Sequence, residues 1–465
     1  VPVDTGEIAG SAAGLRHNFD AGATKPAVWR RRQLSGLRAM LLENSLRFED
    51  AVRADLRKSP TETQVLEIGP LLSEIDFALR HLRRWLKPRH VSVPNSVMPA
   101  RASVVREPLG VVLIIAPWNY PIYLLFGPLI GALAAGNAVV LKPSELAPAT
   151  SALIAELVPR YLDRRGVQVI EGAVAETTEL LAQRFDHIFF TGNGRVGRIV
   201  LAAAAHTLTP VTLELGGKSP AFVDDSADLA SAALRIAWGK FANAGQTCVA
   251  PDYVLATPAA ARGLENALAL AIRDLYGDDP STSPDYARIV SEAQFDRLHA
   301  LLEDGRTVTG GGADRATRFI APTVLADVTA DAPIMQEEIF GPILPIVTVG
   351  SADEAVRFIA ARDKPLALYV FSERKAVRRR FITGTSSGAI AFGAPIVHLS
   401  VATLPFGGVG PSGMGAYHGE AGMNTFSHEK SVLSKPLRPD SLRLIYPPYT
   451  ESKDRFARGI LRRLS

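Results

Sequence analysis

Cysteine is nearly absent from this sequence: Cys248 is the only one in 465 residues. No intrachain disulfide can form, and such usage fits a reducing compartment or indifference to redox state. Dense basic blocks are also missing. The densest, Arg378-Arg379-Arg380, falls in a stretch that reads as helix, and the net charge is only +4. A solvated face is the simpler meaning, so no nucleic-acid partner is expected. Val1 to Gly10 lack a basic n-region and an apolar h-region, so no signal peptide is expected, and a cytoplasmic location is. One span, Pro108 to Leu141, has no charge at all, and it exceeds the about 20 residues a membrane helix needs. Pro117, Pro121 and Pro128 interrupt it, with Trp118-Asn119-Tyr120 between the first two. In lipid they would leave backbone groups unpaired, so buried strand, loop and helix are expected there instead. No metal is expected.

What is present is a large core-forming chain. Nearly half the residues are hydrophobic and about a fifth charged, and the length suits two or three domains. Residues 1 to 86 read as helical: Leu34, Leu37, Leu41, Leu46, Phe48 and Val52 recur at helix spacings, as do Leu66, Ile68, Leu71, Leu72, Ile75 and Leu79. Pro88 ends this block, and the stretch to Pro108 reads as extended chain or an arm. Apolar strands then alternate with helices, starting at Val111–Ile115, Ala138–Leu141, Val167–Ile170, His187–Thr191 and Val211–Leu215. That order predicts an α/β fold with a parallel sheet covered on both faces. A second α/β unit is expected from Ala221 onward. The glycine-dense run Pro405 to Gly415 is expected to be a loop whose backbone packs close to something.

Three features carry possible chemistry. Gly192-Asn193-Gly194-Arg195-Val196-Gly197 follows a strand and opens a helix, the context in which G-x-G-x-x-G cradles a pyrophosphate at a helix N-terminus. Glu214 lies about 20 residues on, where a ribose-binding acid is expected, yet beside a glycine turn it could equally serve as a general base. Cys248, in Gly245-Gln246-Thr247-Cys248, is either a buried small hydrophobe or a nucleophile. Bland readings compete elsewhere. Asn119 could satisfy its own turn, Lys142, Ser144 and Glu145 could mark a helix entry, and Glu338 could be a solvated acid. His418 reads as a hydrogen-bonded structural histidine rather than a proton relay.

Several motifs together resemble the aldehyde dehydrogenase family. In order they are Pro117-Trp118-Asn119-Tyr120-Pro121, Lys142-Pro143-Ser144-Glu145, Phe190-Thr191-Gly192, Leu213-Glu214-Leu215-Gly216-Gly217-Lys218, Gly245-Gln246-Thr247-Cys248, Glu338-Ile339-Phe340-Gly341-Pro342 and Pro405-Phe406-Gly407-Gly408. The resemblance runs from about Pro88 to Lys430. Ala250-Pro251-Asp252-Tyr253, Tyr417-His418-Gly419 and Thr425-Phe426-Ser427-His428 resemble the class 3 branch, which includes fatty and aromatic aldehyde dehydrogenases; the coniferyl aldehyde dehydrogenases are similar too.

The resemblance implies a Rossmann-like cofactor domain (1–86 and 105–214), a catalytic domain (215–424), a small β oligomerisation arm (87–104 and 425–440) and a tail (441–465). It implies NAD(P)-dependent oxidation of aldehydes, medium- or long-chain aliphatic or aromatic, to carboxylic acids through a cysteine thioester. The alternative is a coenzyme A-acylating enzyme, against which the retained Glu214 argues. Cys248 is the implied nucleophile, Glu214 the base and Asn119 an oxyanion donor. The implied cofactor contacts are Trp118, Lys142, Ser144, Glu145, Gly192, Asn193, Gly194, Arg195, Val196, Gly197, Leu215, Glu338 and Phe340. NAD is expected to be accepted, with NADP possible: Glu145 would repel a 2′-phosphate, whereas Gly194-Arg195 departs from the family's usual threonine and small or acidic residue. A homodimer is expected. In the tail, Thr450 would cap a helix with Phe456, Ile460, Leu461 and Leu464 on one face, which could meet the substrate entrance or a membrane surface.

Overall fold

The computed structural model describes residues 5–464, with side chains from 8 to 459. The chain opens with the helices Thr5–Asp20, Ala27–Glu43, Ser45–Leu56 and Gly69–Trp85. Leu34, Leu37, Leu41, Phe48 and Val52 are fully buried, but Leu46 is exposed. The reason is local: Asn44 leaves helical geometry at φ −116° and ψ 20°, so the apolar face is reset after it. Before Gly69 the helix widens into a π turn, Gln64–Ile68, which the periodicity did not predict.

The uncharged span becomes the strand Val111–Ile115, a loop, the wholly buried helix Tyr123–Ala135 and the strand Ala138–Lys142. These strands sit inside a six-stranded sheet ordered Gly413–Met414, Val211–Leu215, His187–Gly192, Val111–Ile115, Ala138–Lys142, Val167–Val169. All pairs but the first are parallel. Alternate residues serve opposite faces: Val112 and Ile114 join one apolar cluster, and Val111, Leu113 and Ile115 join the other. A strand buried on both faces must be continuously apolar, which is why this stretch carries no charge. No helix among the described residues is long and apolar enough to cross a membrane.

A seven-stranded sheet forms the second unit, ordered Arg306–Thr309, Thr323–Ala326, Ile343–Thr348, Tyr253–Ala256, Pro220–Val223, Ala367–Phe371, Ala389–Phe392. A third sheet joins Arg89–Val91, Arg101–Pro108 and Ser427–Ser434 antiparallel, and most of its surface is open.

Residues 413–425, which lie before the expected division at 424 and at it, pack on the first sheet and its helix. Gly413 and Met414 pair with Glu214 and Leu213 on the first sheet. The helix Gly419–Thr425 packs on Tyr123–Ala135, where a Cβ on Gly131 would meet the Gly422 carbonyl carbon at 2.9 Å. The glycine-dense run makes this return possible. At Gly413, with φ +145°, a side chain would collide with the Leu213 carbonyl.

Candidate active site

The parallel sheet brings the carboxyl ends of its strands to one edge, with Ile115 opposite Lys142 and Gly192 opposite Leu215. Strand order reverses between Val111–Ile115 and His187–Gly192. A crevice at such a switch point is where sheets of this kind bind ligands. The loops leaving this edge carry Trp118 and Asn119, then Lys142, Ser144 and Glu145, then Asn193 to Gly197.

These residues fit a dinucleotide. Asn193 caps the helix Gly194–Ala205 by accepting from the Val196 N–H at 3.0 Å, so the first helical N–H groups face outward. A Cβ on Gly197 would lie 3.0 Å from Leu215. That close seating of helix on strand is the task of the fingerprint's third glycine. Arg195 is exposed. The buried Lys142 ammonium donates to the Pro143 carbonyl at 2.8 Å and to Glu145 at 3.3 Å, an ammonium and a carboxylate side by side, as ribose hydroxyls require. Burial lowers the pKa of Lys142. Ser144 Oγ accepts from the Leu146 N–H at 3.3 Å. At the end of the central strand, the buried Thr191 hydroxyl has no partner among the described residues.

The helix Leu229–Phe241 runs into the cysteine loop. Asn243, Ala244 and Gly245 follow with φ of 52°, 51° and 76°. The two non-glycine residues cost about 1–3 kcal/mol each there. Gly245 is obligatory, because a side chain would run into the Gly341 carbonyl. Gln246 staples the loop: its amide donates to Asn243 and Arg288 carbonyls at 3.0 Å each and accepts from the Val290 N–H at 2.9 Å. Sequence reasoning gave Gln246 no role. Its buried amide is legible only once Arg288 and Val290 are beside it.

Cys248 is half-buried at one end of a cavity walled by Leu66, Tyr120, Tyr123, Leu124, Ile396, Phe406 and Tyr417. No charged side chain among the described residues lines it. Burial pushes the thiol up, and the carboxylates of Glu338 and Glu214 add to this, while the N–H groups of Cys248 and Val249 act the other way. Asn119 is buried, and its side-chain amide donates to the Gln246 carbonyl at 3.0 Å. An amide nitrogen has two hydrogens, so one remains for a ligand. Glu214 is buried with neither oxygen paired among the described residues, and desolvation holds its carboxyl well above the usual range.

Glu338 is no solvated acid. Its carboxylate abuts Gly216, where a Cβ would overlap it, and burial, with Asp252 adding, raises it to about 8. Phe340 meets Trp118 edge-on, ring centres 5.6 Å apart. His418 is buried and hydrogen-bonded to the Tyr123 hydroxyl at 2.9 Å.

A cysteine, an unpaired buried carboxyl and a buried amide thus converge beside a dinucleotide cradle. The family model for the aldehyde dehydrogenase family matches residues 7–432. The chain belongs to the aldehyde dehydrogenase family. The match takes in the amino-terminal helices as well as the motif-bearing region. The chain is 51% identical to human aldehyde dehydrogenase family 3 member B1 over 93% of each. It is 48% identical to the mouse aldehyde dehydrogenase named dimeric NADP-preferring, covering 93% of this chain and 96% of that one. The substrate-bound structure of Staphylococcus aureus AldH superposes with a TM-score of 0.94 at 44% identity, over 97% of this chain and 98% of that one. These relatives agree with a class 3-like branch. This aldehyde dehydrogenase carries out NAD(P)-dependent aldehyde oxidation, and the coenzyme A-acylating alternative finds no support among them.

Proposed function

We propose that the enzyme oxidises medium- or long-chain aliphatic or aromatic aldehydes with Cys248 as nucleophile, Glu214 as general base and Asn119 as oxyanion donor. The observation that carries the substrate class is the uncharged wall of aliphatic and aromatic side chains around Cys248. Such a wall favours an apolar chain, and it leaves a charged substituent without a partner.

The Cys248 thiolate attacks the aldehyde carbon, forming a C–S bond, and the carbonyl oxygen becomes an oxyanion. The free N–H of the Asn119 amide and the Cys248 backbone N–H stabilise that charge. NAD(P), when bound, would supply the hydride acceptor; Lys142, Glu145 and Glu338 would hold its riboses, the helix at Gly194 its phosphates, and Phe340 its nicotinamide end. The acyl group then remains on Cys248 as a thioester. Glu214 takes a proton from water, whose oxygen attacks the acyl carbon, and the acid leaves as the thiolate returns.

The tail shapes this preference. Tyr446 and Tyr449 are exposed, and Phe456 is 43% exposed on the helix Glu451–Leu464. Thr450 pairs its hydroxyl with Ser452 at 2.9 Å, and Arg458 pairs with Asp454 at 2.8 Å. The side chains of Ile460, Leu461 and Leu464 lie outside the described residues. An apolar strip beside arginines suits a membrane surface, where long aldehydes partition. An aldehyde panel on the full chain and on a chain lacking residues 450–465 tests both parts. Catalytic efficiency should rise with apolar chain length, and the deletion should lower liposome binding and the long-to-short efficiency ratio together. Efficiency that is flat across the panel contradicts the substrate class, and two unchanged readings in the deletion remove the tail from the account.

Two subunits pair through the three-stranded arm in this reading, since Ser427–Ser434 is an edge strand with an exposed face. Light scattering should give twice the chain mass at working concentration; the monomer mass throughout would contradict pairing.

A further inference from the structure

Two wholly buried charges lie against the loop that carries Asn119. Lys58 follows the helix Ser45–Leu56, and Glu67 sits in the π turn Gln64–Ile68. Both side chains are 0% exposed, and Lys58 Nζ donates to Glu67 Oε1 at 2.7 Å. Lys58 Nζ also donates to the Asn119 carbonyl at 3.1 Å and stands 4.0 Å from the centre of the Tyr120 ring. The second oxygen of Glu67 accepts from the Ile122 N–H at 2.9 Å and the Tyr123 N–H at 3.3 Å. The pair therefore holds the backbone on both sides of the turn that presents the Asn119 amide. Asn243 Nδ2 reaches the same Asn119 carbonyl at 2.8 Å, and Glu62 accepts from the Asn243 N–H at 2.9 Å. One short stretch, 58–67, thus grips both the oxyanion loop and the cysteine loop.

Stability alone is a poor explanation. A buried ion pair returns little over an apolar pair of the same volume, because both charges leave water. An apolar pair, however, could not hold the carbonyl of Asn119 and the amides of Ile122 and Tyr123. Two of those amides are N-terminal donors of the helix Tyr123–Ala135 that otherwise lack helical partners. The π turn is a further sign, since such turns gather at functional sites.

We propose that Lys58 and Glu67 are positioning residues for the oxyanion step, fixing the backbone so that the Asn119 amide stays aimed at the reacting oxygen. This rests on the oxyanion role given to Asn119 above. The test is a mutant cycle. Lys58→Met with Glu67→Gln leaves no unpaired buried charge and keeps an acceptor for the Ile122 N–H. Burst-phase formation of reduced cofactor should slow about 10- to 100-fold, the cost of a misplaced group. Cofactor affinity and KM should stay within about twofold, and combining the pair with Asn119→Ala should cost less than about threefold beyond Asn119→Ala alone, because residues acting as one unit do not add. Glu67→Gln alone, which is isosteric, should show the same pattern in weaker form. A folded double variant with a wild-type burst rate overturns the proposal, as do losses that multiply with that of Asn119→Ala. Failure of both variants to fold marks the pair as a fold determinant and also overturns it. If Asn119→Ala itself keeps the wild-type burst, the oxyanion reading falls and this proposal with it.

Discussion

Replacing Cys248 with alanine lowers aldehyde oxidation by at least about 10⁴-fold, the scale at which loss of a covalent nucleophile is felt, while cofactor binding is retained. No other thiol exists in the chain to take over. Binding survives in this reading because the cofactor contacts lie elsewhere, at Lys142 and at the helix that Asn193 caps. The cysteine loop holds its shape through Gln246, Asn243 and Gly245, none of which needs the sulfur. Steady-state rates with tritrated cofactor binding check both halves. Oxidation near the wild-type rate in the variant contradicts the nucleophile assignment; lost cofactor affinity contradicts the separation of cradle from nucleophile.

Glu214→Gln separates the two halves of the reaction. Rapid mixing should show one burst of reduced cofactor followed by turnover slowed about 10²- to 10⁴-fold, because the amide cannot take a proton from water. The wild-type pH profile follows from the same burial. Desolvation raises the Glu214 carboxyl, and a base works only when deprotonated. Hydrolysis should therefore rise as pH increases through that raised pKa and fall as pH drops below it. The glutamine variant should lose this limb. Normal hydrolysis with weakened cofactor binding would instead return Glu214 to the ribose role that its spacing after the glycine motif suggests.

Much of this is legible in the sequence. Continuous apolar strands announced a sheet buried on both faces, and Val112 and Val111 do serve opposite clusters. The glycine motif opens a helix where expected, and Gly197 presses on Leu215. What escaped the sequence was long-range pairing. Lys58 and Glu67 look like ordinary helix-surface charges in a sequence, because their partners at Asn119 and Ile122 lie more than fifty residues away. Leu46 matched the helical period but falls after the break at Asn44. Gly413 belongs to the first sheet because glycines let the chain return to Glu214's strand. For Glu338 the sequence left a solvated acid open beside the implied cofactor contact, because nothing in its own neighbourhood shows that Gly216 abuts its carboxylate.

Acyl transfer through Cys248 is tested most directly by mass spectrometry of Glu214→Gln after mixing with NAD and an apolar aldehyde. One acyl group should appear on the peptide containing Cys248, in step with the burst of reduced cofactor and absent when NAD is left out. Reduced cofactor formed with no acyl group on that peptide, or an acyl group on another residue, would contradict the mechanism.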